Sequence, residues 1–369
     1  MNILQVVFFN PINGGGGVEN IALNLALYQS KNHNVTLLCH SNKNNVANYK
    51  NIKIIQFKIS SYIFLGNTKI NFKKLLYNIK IKKFIKEHGA EYDIIHVHGD
   101  IGGFKELKNY NSIVTFHGFT EDAVKSRNIL IKMFLYFTSI RYEKGNVLYC
   151  NNLITVSENI KNKIKSYTKK KITVIYNGVN TNIYKSVQSK EKIRLRHSLN
   201  FRKDIKYILF IGKDKYIKGL DIAIGAVKKI KNNGHLNIIG LEGRSEKNIS
   251  YLGPIFSNKK INYIKCSDVL IAPSRYDAFP ISVLEAMSCG IPIIISKNVG
   301  VSELIKNNYN GIVLNKNESV YYAKELNKLL NNDSYYKRLS KNARITAIKN
   351  NKDVMLKKYD KIYKKILKF

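Results

Sequence analysis

Short, almost wholly apolar runs alternate with longer segments of helical periodicity along the first half of the chain. The runs are rich in β-branched residues and lack the alternation of a half-exposed strand, which is typical of parallel strands buried on both faces. They read ILQVVFF, NVTLLCH, DIIHVH, SIVTFH, NLITVS and ITVIY. Helical segments such as VENIALNLALYQSKN lie between them. This order predicts a parallel α/β domain.

The same pattern restarts after a polar, turn-rich stretch that begins near residue 177. The strand-like runs YILFIG, HLNIIG, DVLIAP and IPIIIS follow, and the helical segment GLDIAIGAVKKIKNNG comes after the first of them. We therefore predict two doubly wound, Rossmann-like domains with parallel sheets, at residues 1–177 and 178–350. Residues 351–369 predict an amphipathic helix that lies across one of the domains. We expect it to pack back across the N-terminal domain. Its apolar positions are Met355, Tyr359, Ile362, Ile366 and Phe369.

The composition allows two domains of ordinary size. The chain has 369 residues, of which 44% are hydrophobic, so each domain can bury a core of its own. It starts without the basic segment and cleavage site of a signal peptide, and no apolar run reaches the length of a membrane-spanning helix. Its four cysteines are scattered without metal-ligand spacing, which indicates reduced thiols in a cytoplasmic protein. They are Cys39, Cys150, Cys266 and Cys289.

The formal charge of +37 comes from 62 basic and 25 acidic residues. It is spread over the chain, with +15 in residues 1–176 and +22 in residues 177–369. A field of this sign favours anionic partners such as nucleotides, nucleic acid or acidic lipid headgroups, and charge alone does not choose among them.

Four glycines in NPINGGGGVEN, residues 10–20, separate the first strand from the first helix. Glycine lets the backbone turn sharply beside a ligand, and the helix N-terminus that follows attracts anions. The next strand-like run ends without an acid, so the stretch does not match a dinucleotide-binding fingerprint. The alternative is a flexible turn without a ligand.

Three further polar residues follow strands of the two predicted sheets. His117 ends TFH at the carboxyl edge, where a neutral imidazole can donate to a sugar hydroxyl or stabilise a developing charge. Lys213 and Lys218 lie on the loop after the second domain's first strand, where two ammonium groups suit a diphosphate. A structural histidine and a solvated basic loop are the alternatives.

The segment SRYDAFPISVLEAMSCG places two carboxylates eight positions apart. Pro280 can occupy the first helical position and Gly290 can close the helix. Asp277 then precedes a helix N-terminus with unpaired backbone amides, and Glu285 lies in the second turn. One carboxylate can hold sugar hydroxyls and the other the vicinal hydroxyls of a ribose.

Together these segments resemble the retaining, nucleotide-sugar-dependent glycosyltransferases of family 4 (group 1), which have the GT-B fold. The resemblance covers nearly the whole chain, in order. It includes the glycine loop before VE, TFHG, ITVS, VIYNGVNTNIY, GKDKYIKGLD, SDVLIAPSRYDAFPISVLEAMSCGIPII and NGIVL, of which the long block near residue 280 is highly specific. The resemblance implies two Rossmann-like domains that face each other across a cleft.

The resemblance assigns roles to the acidic and basic pairs. An acid-x7-acid element in the family has its first carboxylate at the donor sugar and its second at the ribose, and Asp277 and Glu285 occupy these positions. The family usually has Glu first, so Asp277 shortens the reach by one methylene. The diphosphate is usually held by Arg and then Lys. Here Lys213 and Lys218 stand at those positions, so the bidentate fork of the first is lost.

The same resemblance implies the remaining site residues. Residues 279–281 match a segment whose backbone amides face the donor sugar, and residues 16 and 17 match a loop that touches the donor phosphate. His117 matches a histidine near the sugar, and we predict that it is catalytic together with Asp277. The predicted donor-binding residues are Gly16, Gly17, Lys213, Lys218, Phe279, Pro280, Ile281 and Glu285.

The implied reaction is transfer of a sugar from a UDP- or GDP-linked donor with retained anomeric configuration. No cofactor and no metal are expected, because lysines and helix N-termini would neutralise the diphosphate leaving group. A nucleotide-sugar epimerase and a non-catalytic subunit are alternatives with the same fold. A nucleic-acid-binding protein is a rival of another class, but the chain lacks the interleaved aromatics or recognition motif of such a surface.

Residues 68–89 bear on the acceptor and on the membrane. TKINFKKLLYNIKIKKFIKEHG has seven lysines and one acid, with Leu75, Leu76, Ile79 and Phe84 among its apolar members. It predicts a basic amphipathic helix on an anionic membrane surface, and a domain helix with a solvated lysine face is the alternative. We expect a glycan or lipid-linked acceptor, as in cell-envelope polysaccharide, glycolipid or glycoprotein synthesis. We also expect peripheral association with the inner face of the cell membrane.

Overall fold

The computed structural model describes residues 1–12, 16–59, 62–65, 68–123, 129–231, 233–255 and 257–367. The chain divides into two compact units. The first comprises Met1–Tyr176 together with Leu356–Phe369, and the second comprises Asn177–Met355.

The first unit is built on a parallel sheet. Its described strands are β1 (Asn2–Val6), β2 (Asn34–Ser41), β3 (Asn45–Tyr49), β4 (Ile52–Lys58), β5 (Tyr62–Leu65), β6 (Thr68–Asn71), β7 (Ile94–His98), β8 (Ser112–Phe116), β9 (Asn152–Thr155) and β10 (Ile172–Val174). Eight of them form one sheet in the order β10-β9-β8-β7-β1-β2-β4-β3, and β5 pairs with β6 in a separate antiparallel hairpin. Every pairing of the large sheet is parallel except that of β3 with β4.

Helices connect these strands. They are α1 (Gly17–Gln29), α2 (Lys73–His88), α3 (Thr120–Ala123), α4 (Ile129–Leu135), α5 (Arg141–Tyr149) and α6 (Glu158–Ile164), with a π-helical turn at Tyr136–Ile140 and 3-10 turns at Gly89–Glu91 and Lys105–Asn109.

The second unit repeats the architecture with six described strands. They are β11 (Lys206–Ile211), β12 (Gly234–Ile239), β13 (Ile249–Tyr251), β14 (Val269–Ala272), β15 (Ile293–Ser296) and β16 (Ile312–Leu314). All pair in parallel, in the order β13-β12-β11-β14-β15-β16. The helices are α7 (Ser189–Ser198), α8 (Leu220–Val227), α9 (Ser257–Cys266), α10 (Ile281–Ser288), α11 (Ser319–Leu330) and α12 (Asp333–Lys349), with a 3-10 turn at Gly300–Leu304. Helix α13 (Lys352–Ile366) begins in the second unit, and its residues from Leu356 onward belong to the first.

The central strands are buried on both faces, which confirms the reading of the apolar runs. Consecutive residues Ile3 and Leu4 of β1 are fully buried, as are Ile113 and Val114 of β8. Since successive side chains of a strand point to opposite faces, both faces of this sheet are covered. The parallel α/β class predicted from the sequence is therefore confirmed.

The strand order of each sheet reverses at one place. In the first unit β1 has β2 on one side and β7 on the other, and in the second unit β11 has β12 and β14. Ligands of open α/β sheets bind at the carboxyl ends of the strands that flank such a switch point. The glycine loop follows β1, and the loops with Lys218 and Asp277 follow β11 and β14.

Two elements differ from the sequence expectation. The segment NVANY forms the antiparallel edge strand β3, which the apolar runs did not reveal because its burial alternates. The helix expected at residues 219–234 ends at Val227, and beyond it Ile230 packs against the core of the second unit before β12 begins at Gly234.

The buried stripe of α13 also differs in detail. Met355, Leu356, Tyr359 and Tyr363 are buried. Ile362 and Ile366, which helical spacing placed in the stripe, are only partly buried, and Phe369 lies outside the described residues. The reason is that Tyr363, a residue with a polar end, takes a core position and makes hydrogen bonds there, as described below.

Candidate active site

The loops after β11 and β14 meet at the switch point of the second unit. Gly219, near the end of the first loop, has a φ of +71°, and a Cβ there would lie 2.1 Å from the carbonyl oxygen of Pro273. Glycine tolerates both the left-handed backbone and this close approach. The backbone amide of Arg275 also donates to the carbonyl oxygen of Ile217 at 2.8 Å. The two loops therefore form one packed edge.

An ion pair that sequence reasoning missed ties the same loops together. The guanidinium of Arg275 donates to both carboxylate oxygens of Asp221, at 2.9 and 2.7 Å, and lies 4.3 Å from the ring centroid of Tyr216. These hydrogen bonds hold the pKa of Asp221 below its usual value. Asp221 belongs to the quoted segment GKDKYIKGLD, which is the signal from which the pair could have been found.

The structure brings together two of the predicted site residues, Lys218 and Asp277. The Nζ atom of Lys218 forms an ion pair with Oδ2 of Asp277, and the side chains are 26% and 14% exposed. The backbone fixes Asp277 as well, since its carbonyl oxygen accepts from the amide of Gly300 at 2.8 Å. Lys213 lies on the same loop as Lys218 with an exposed side chain. The pair thus sits at a partly solvated edge of the sheet.

Glu285 lies in the second turn of α10, as the sequence predicted, and its side chain is 9% exposed. Lys260 of α9 pairs with it, with 2.6 Å between Nζ and Oε2. Burial, and then the charge of Glu285, raise the pKa of Tyr184 well above its usual value. Lys260 was missed because nothing in the sequence distinguishes it from the other lysines.

The start of α10 requires a correction. Pro280, which the sequence placed at the first helical position, has a ψ of 115° and caps the helix from outside, so that Ile281 is the first helical residue. The carbonyl oxygen of Phe279 accepts from Nδ2 of Asn177 at 3.3 Å. No side chain in the described part of the chain caps α10. Gly290, with a φ of +74°, follows its C-terminal cap.

In the first unit, Gly16 precedes α1 and Gly17 is its first residue. The amide of Gly16 donates to Oε2 of the buried Glu19 at 2.8 Å. A carboxylate therefore already stabilises this helix N-terminus. The phosphate contact predicted for Gly16 requires Glu19 to release that amide, so it stays a prediction.

His117, immediately after β8, is the end of a buried chain of hydrogen bonds. Its Nε2 lies 3.1 Å from Nδ1 of His98, and Nε2 of His98 lies 2.6 Å from Oε1 of Gln5. The Nε2 group of Gln5 donates to the hydroxyl of Tyr363 at 3.2 Å, and that hydroxyl contacts Nδ1 of His96. Sequence reasoning found His117 but missed the residues behind it.

Burial keeps these histidines neutral. It lowers the pKa of His117 to about 3, and it lowers the pKa values of His96 and His98 well below the usual range, with a smaller contribution from the neighbouring imidazoles. The Nδ1 atom of His117 is buried and has no hydrogen-bond partner in the described part of the chain. A hydrogen-bonding group of a ligand or a water molecule would satisfy it.

A second polar cluster lies near the carboxyl edge of the same sheet. Lys74 forms an ion pair with Asp100, and its Nζ atom lies 3.2 Å from Oγ of Ser139. The carboxyl group of Glu143 accepts from the amide and the hydroxyl of Thr120 at 2.8–3.0 Å. Burial, and then the charge of Asp100, raise the pKa of Glu143 to about 8.

Two kinds of feature are absent from the described residues. Those residues contain no group of three or more His, Cys, Asp or Glu residues able to hold a metal ion. None of the helices they form has both the length and the apolar character needed to cross a membrane. All four cysteines are buried free thiols.

Family models match both parts of the chain. The model Glycosyltransferase Family 4 matches residues 15–183, and the model Glycosyl transferases group 1 matches residues 191–346. The chain belongs to the family 4, group 1 glycosyltransferases.

Relatives of the chain agree with this assignment. An uncharacterized glycosyltransferase of Methanocaldococcus jannaschii is 27% identical, over 93% of this chain and 92% of its own length. Another from the same organism is 33% identical but is matched over only 46% of its length. The UDP-Gal:alpha-D-GlcNAc-diphosphoundecaprenol alpha-1,3-galactosyltransferase of Escherichia coli is 25% identical over 77% of each chain.

Sucrose-phosphate synthase from Thermosynechococcus elongatus superposes with a TM-score of 0.83 at 17% identity, covering 99% of both chains. This likeness concerns the fold alone. The glycosyltransferase has the GT-B fold, with two Rossmann-like α/β domains, so the fold class implied by the sequence resemblance is confirmed.

Proposed function

We propose that this glycosyltransferase moves a sugar from a UDP- or GDP-linked donor to a glycan or lipid-linked acceptor, with retained configuration and without a metal. The product would belong to a cell-envelope polysaccharide, a glycolipid or a protein-linked glycan. The E. coli relative supports the donor and acceptor classes, because its name specifies a UDP-linked sugar and a lipid diphosphate acceptor.

The observation that carries the proposal is the ion pair between Lys218 and Asp277 at the switch point of the second unit. A cation and a carboxylate stand there beside the N-terminus of α10, which no described side chain caps. Cations and free amides attract phosphate oxygens, whereas a carboxylate accepts from sugar hydroxyls. The pair therefore offers both halves of a nucleotide-sugar a partner.

Donor binding would divide this pair. A diphosphate competes for Lys218, which leaves Asp277 free to accept from hydroxyls of the transferred sugar. Lys218, Lys213 and the amides of α10 would then neutralise the charge that develops on the leaving diphosphate. Asp277 is one methylene shorter than glutamate, so its backbone contact with Gly300 would set how close the carboxylate comes to the sugar.

Glu285 is the proposed ribose ligand. Lys260 holds its Oε2 atom at 2.6 Å and the hydroxyl of Tyr184 lies beside the same carboxylate, so a ribose hydroxyl would join or replace these partners. The side chain is only 9% exposed, so the hydrogen bond would form largely out of water, where its contribution is greatest.

Calorimetry with UDP and GDP on Glu285→Ala tests this assignment. We expect affinity to fall by about 10²-fold, because truncation removes the ribose ligand and also leaves Lys260 unpaired. Glu246→Ala is the matched control, since Glu246 pairs with Lys228 at an exposed position of the same unit. Unchanged affinity in Glu285→Ala would show that the ribose assignment is wrong.

Product analysis tests the reaction itself. Transfer with retention gives a glycosylated acceptor of the donor's anomeric configuration and one released nucleoside diphosphate per sugar. A changed free nucleotide-sugar without diphosphate release would point to an epimerase. Donor binding without either product, across a panel of donors and acceptors, would point to a non-catalytic subunit.

A further inference from the structure

We propose that Gln5 and Tyr363 are positioning residues that fix the tautomer of His117, so that Nδ1 of His117 accepts a hydrogen bond from a sugar hydroxyl and does not donate one. The contact with sugar rests on the proposed function, whereas the tautomer follows from the first unit alone. The inference reverses the expectation that His117 donates.

Gln5 is fully buried near the carboxyl end of β1. Its Nε2 group donates to Oε1 of Gln29 at 2.8 Å and to the hydroxyl of Tyr363 at 3.2 Å. With its donor engaged on that side, Gln5 presents Oε1, a pure acceptor, to Nε2 of His98 at 2.6 Å.

The acceptor on Gln5 determines the proton of His98. A neutral imidazole carries one N–H, and the contact with Gln5 places it on Nε2, which leaves Nδ1 as an acceptor. That Nδ1 atom lies 3.1 Å from Nε2 of His117. His117 must therefore donate from Nε2, and its own Nδ1 carries a lone pair.

The free lone pair lies in a place that calls for a donor. Nδ1 of His117 is buried and has no partner in the described part of the chain. The pKa of His117 is lowered to about 3 by burial, so protonation from solvent does not satisfy this atom near neutral pH. A hydroxyl group does, and hydroxyls are what a glycosyltransferase binds.

The opposite polarity requires both glutamine amides to be turned over. Otherwise Oε1 of Gln5 would face Oε1 of Gln29, two acceptors 2.8 Å apart. Tyr363 contributes from α13, where it is fully buried and also contacts Nδ1 of His96. The terminal helix thereby sets the orientation of an amide in β1.

Histidine-labelled full-length protein provides the direct test. Two-bond proton–nitrogen spectra distinguish the Nε2–H and Nδ1–H tautomers, and a His117→Gln variant assigns the signals among the eight histidines. We expect His117 to carry its proton on Nε2. A proton on Nδ1 would overturn the proposal.

Three variants grade the effect. Gln5→Leu removes the acceptor of His98, so we expect a mixture of His117 tautomers and a fall in kcat of about tenfold. Tyr363→Phe removes one of the two acceptors that hold the Gln5 amide, and we expect a smaller change. Tyr77→Phe is the control, because it also removes a fully buried hydroxyl. That hydroxyl donates to the carbonyl oxygen of Val7, which is not part of the hydrogen-bonded chain from Gln5 to His117.

Two further measurements separate the outcomes. UDP affinity, which we assign to the second unit, should stay constant, and amide hydrogen exchange in the first unit shows that each variant is folded. If the hydroxyl belongs to the donor, Gln5→Leu weakens binding of the nucleotide-sugar but not of UDP. If it belongs to the acceptor, the KM for the acceptor rises as kcat falls, and the affinity for the nucleotide-sugar stays unchanged. An unchanged tautomer in folded Gln5→Leu would remove the role of Gln5. A protein that transfers no sugar but keeps the Nε2–H tautomer would refute the proposed function alone.

Discussion

The predicted site residues of the two units use opposite chemistry on the same architecture. In the second unit the polar groups at the switch point are charged and paired, Lys218 with Asp277 and Lys260 with Glu285. In the first unit His117 ends a chain of neutral groups that passes through His98 to Gln5. Both sets stand at the carboxyl edge of a parallel sheet, so the fold supplies the place but not the chemistry.

The difference matches the two kinds of group in a nucleotide-sugar reaction. A diphosphate carries charge and is best held by partners that already bear charge and can exchange one ion pair for another. Sugar hydroxyls are neutral, and a buried neutral network can orient one acceptor toward them without the cost of desolvating an ion. Each unit can therefore be perturbed separately. A change in the charged pairs of the second unit should affect phosphate binding, and a change in the neutral network of the first unit should affect contacts with sugar hydroxyls.

Among the consequences of this comparison between the units, the largest effect is expected at Lys218. Lys218→Ala should weaken binding of UDP by about tenfold to 10²-fold but change the affinity for uridine less than twofold, because the ammonium group acts on phosphate. Isothermal calorimetry with both ligands measures this. Lys215→Ala, an exposed lysine of the same loop, is the control and should change neither. Equal losses for UDP and uridine would contradict a phosphate role for Lys218.

The next largest effect should be a dependence of stability on pH that is specific to the first unit. His96, His98 and His117 have pKa values lowered in the folded state, so below pH 6.5 the unfolded chain binds more protons and the first unit loses stability as the pH falls. Glu143 acts in the opposite direction. Its pKa is raised from 4.5 to about 8, so its contribution is complete below pH 4.5 and is lost as the pH rises toward 8.

The first unit should therefore be most stable near pH 6.5–7. Its free energy of unfolding should change by about 1.4 kcal/mol per pH unit for each proton by which the folded and unfolded states differ. Hydrogen exchange at pH 5 to 8, corrected for the intrinsic rate, reports each unit separately. Glu143→Gln should flatten the alkaline side alone. A first unit that gains stability between pH 6 and pH 5 would show that the histidines are not held neutral.

The sequence patterns predicted the fold because the pattern of buried residues in each strand is contained within that strand. Consecutive buried residues such as Ile3 and Leu4 are apolar on both faces of a strand, and this is visible without knowledge of any partner. The same holds for Asp277 and Glu285, whose spacing around a helix start is a local feature. The error at Pro280 is one position, since its ring suits either the cap or the first helical residue.

The partners of the site residues could not be predicted in this way. Lys260 is 25 positions from Glu285, and Tyr363 is 358 positions from Gln5. Among 62 basic residues no local signal selects the one that packs beside a given carboxylate. Tyr363 was left out of the apolar stripe of α13 because the spacing that starts at Met355 and Tyr359 continued through Ile362, whereas the structure buries Tyr363, four positions after Tyr359.

The smallest effect is expected for membrane binding. The lysine-rich composition of residues 68–89 favoured such binding, but the contacts of α2 leave fewer of its charges free for lipid. The lysines of α2 are largely engaged within the first unit. Lys82 and Lys86 both approach Glu106, at 3.5 and 3.3 Å, and the ammonium group of Lys80 donates to the carbonyl oxygen of Lys58. Ile79, expected among the apolar members of the helix, is 57% exposed between these lysines.

A helix whose charges are partly neutralised should hold anionic vesicles only weakly. We expect flotation with phosphatidylglycerol vesicles to retain a minor fraction of the protein at low salt and none at physiological ionic strength, where charges are screened beyond about 8 Å. Lys80→Glu should abolish the low-salt fraction. Phe137→Ser, at a residue 55% exposed on the π-helical turn, separates an apolar contribution from the charge. No retention at any salt concentration would remove the membrane proposal, whereas salt-resistant retention that depends on Phe137 would move it from α2 to that turn.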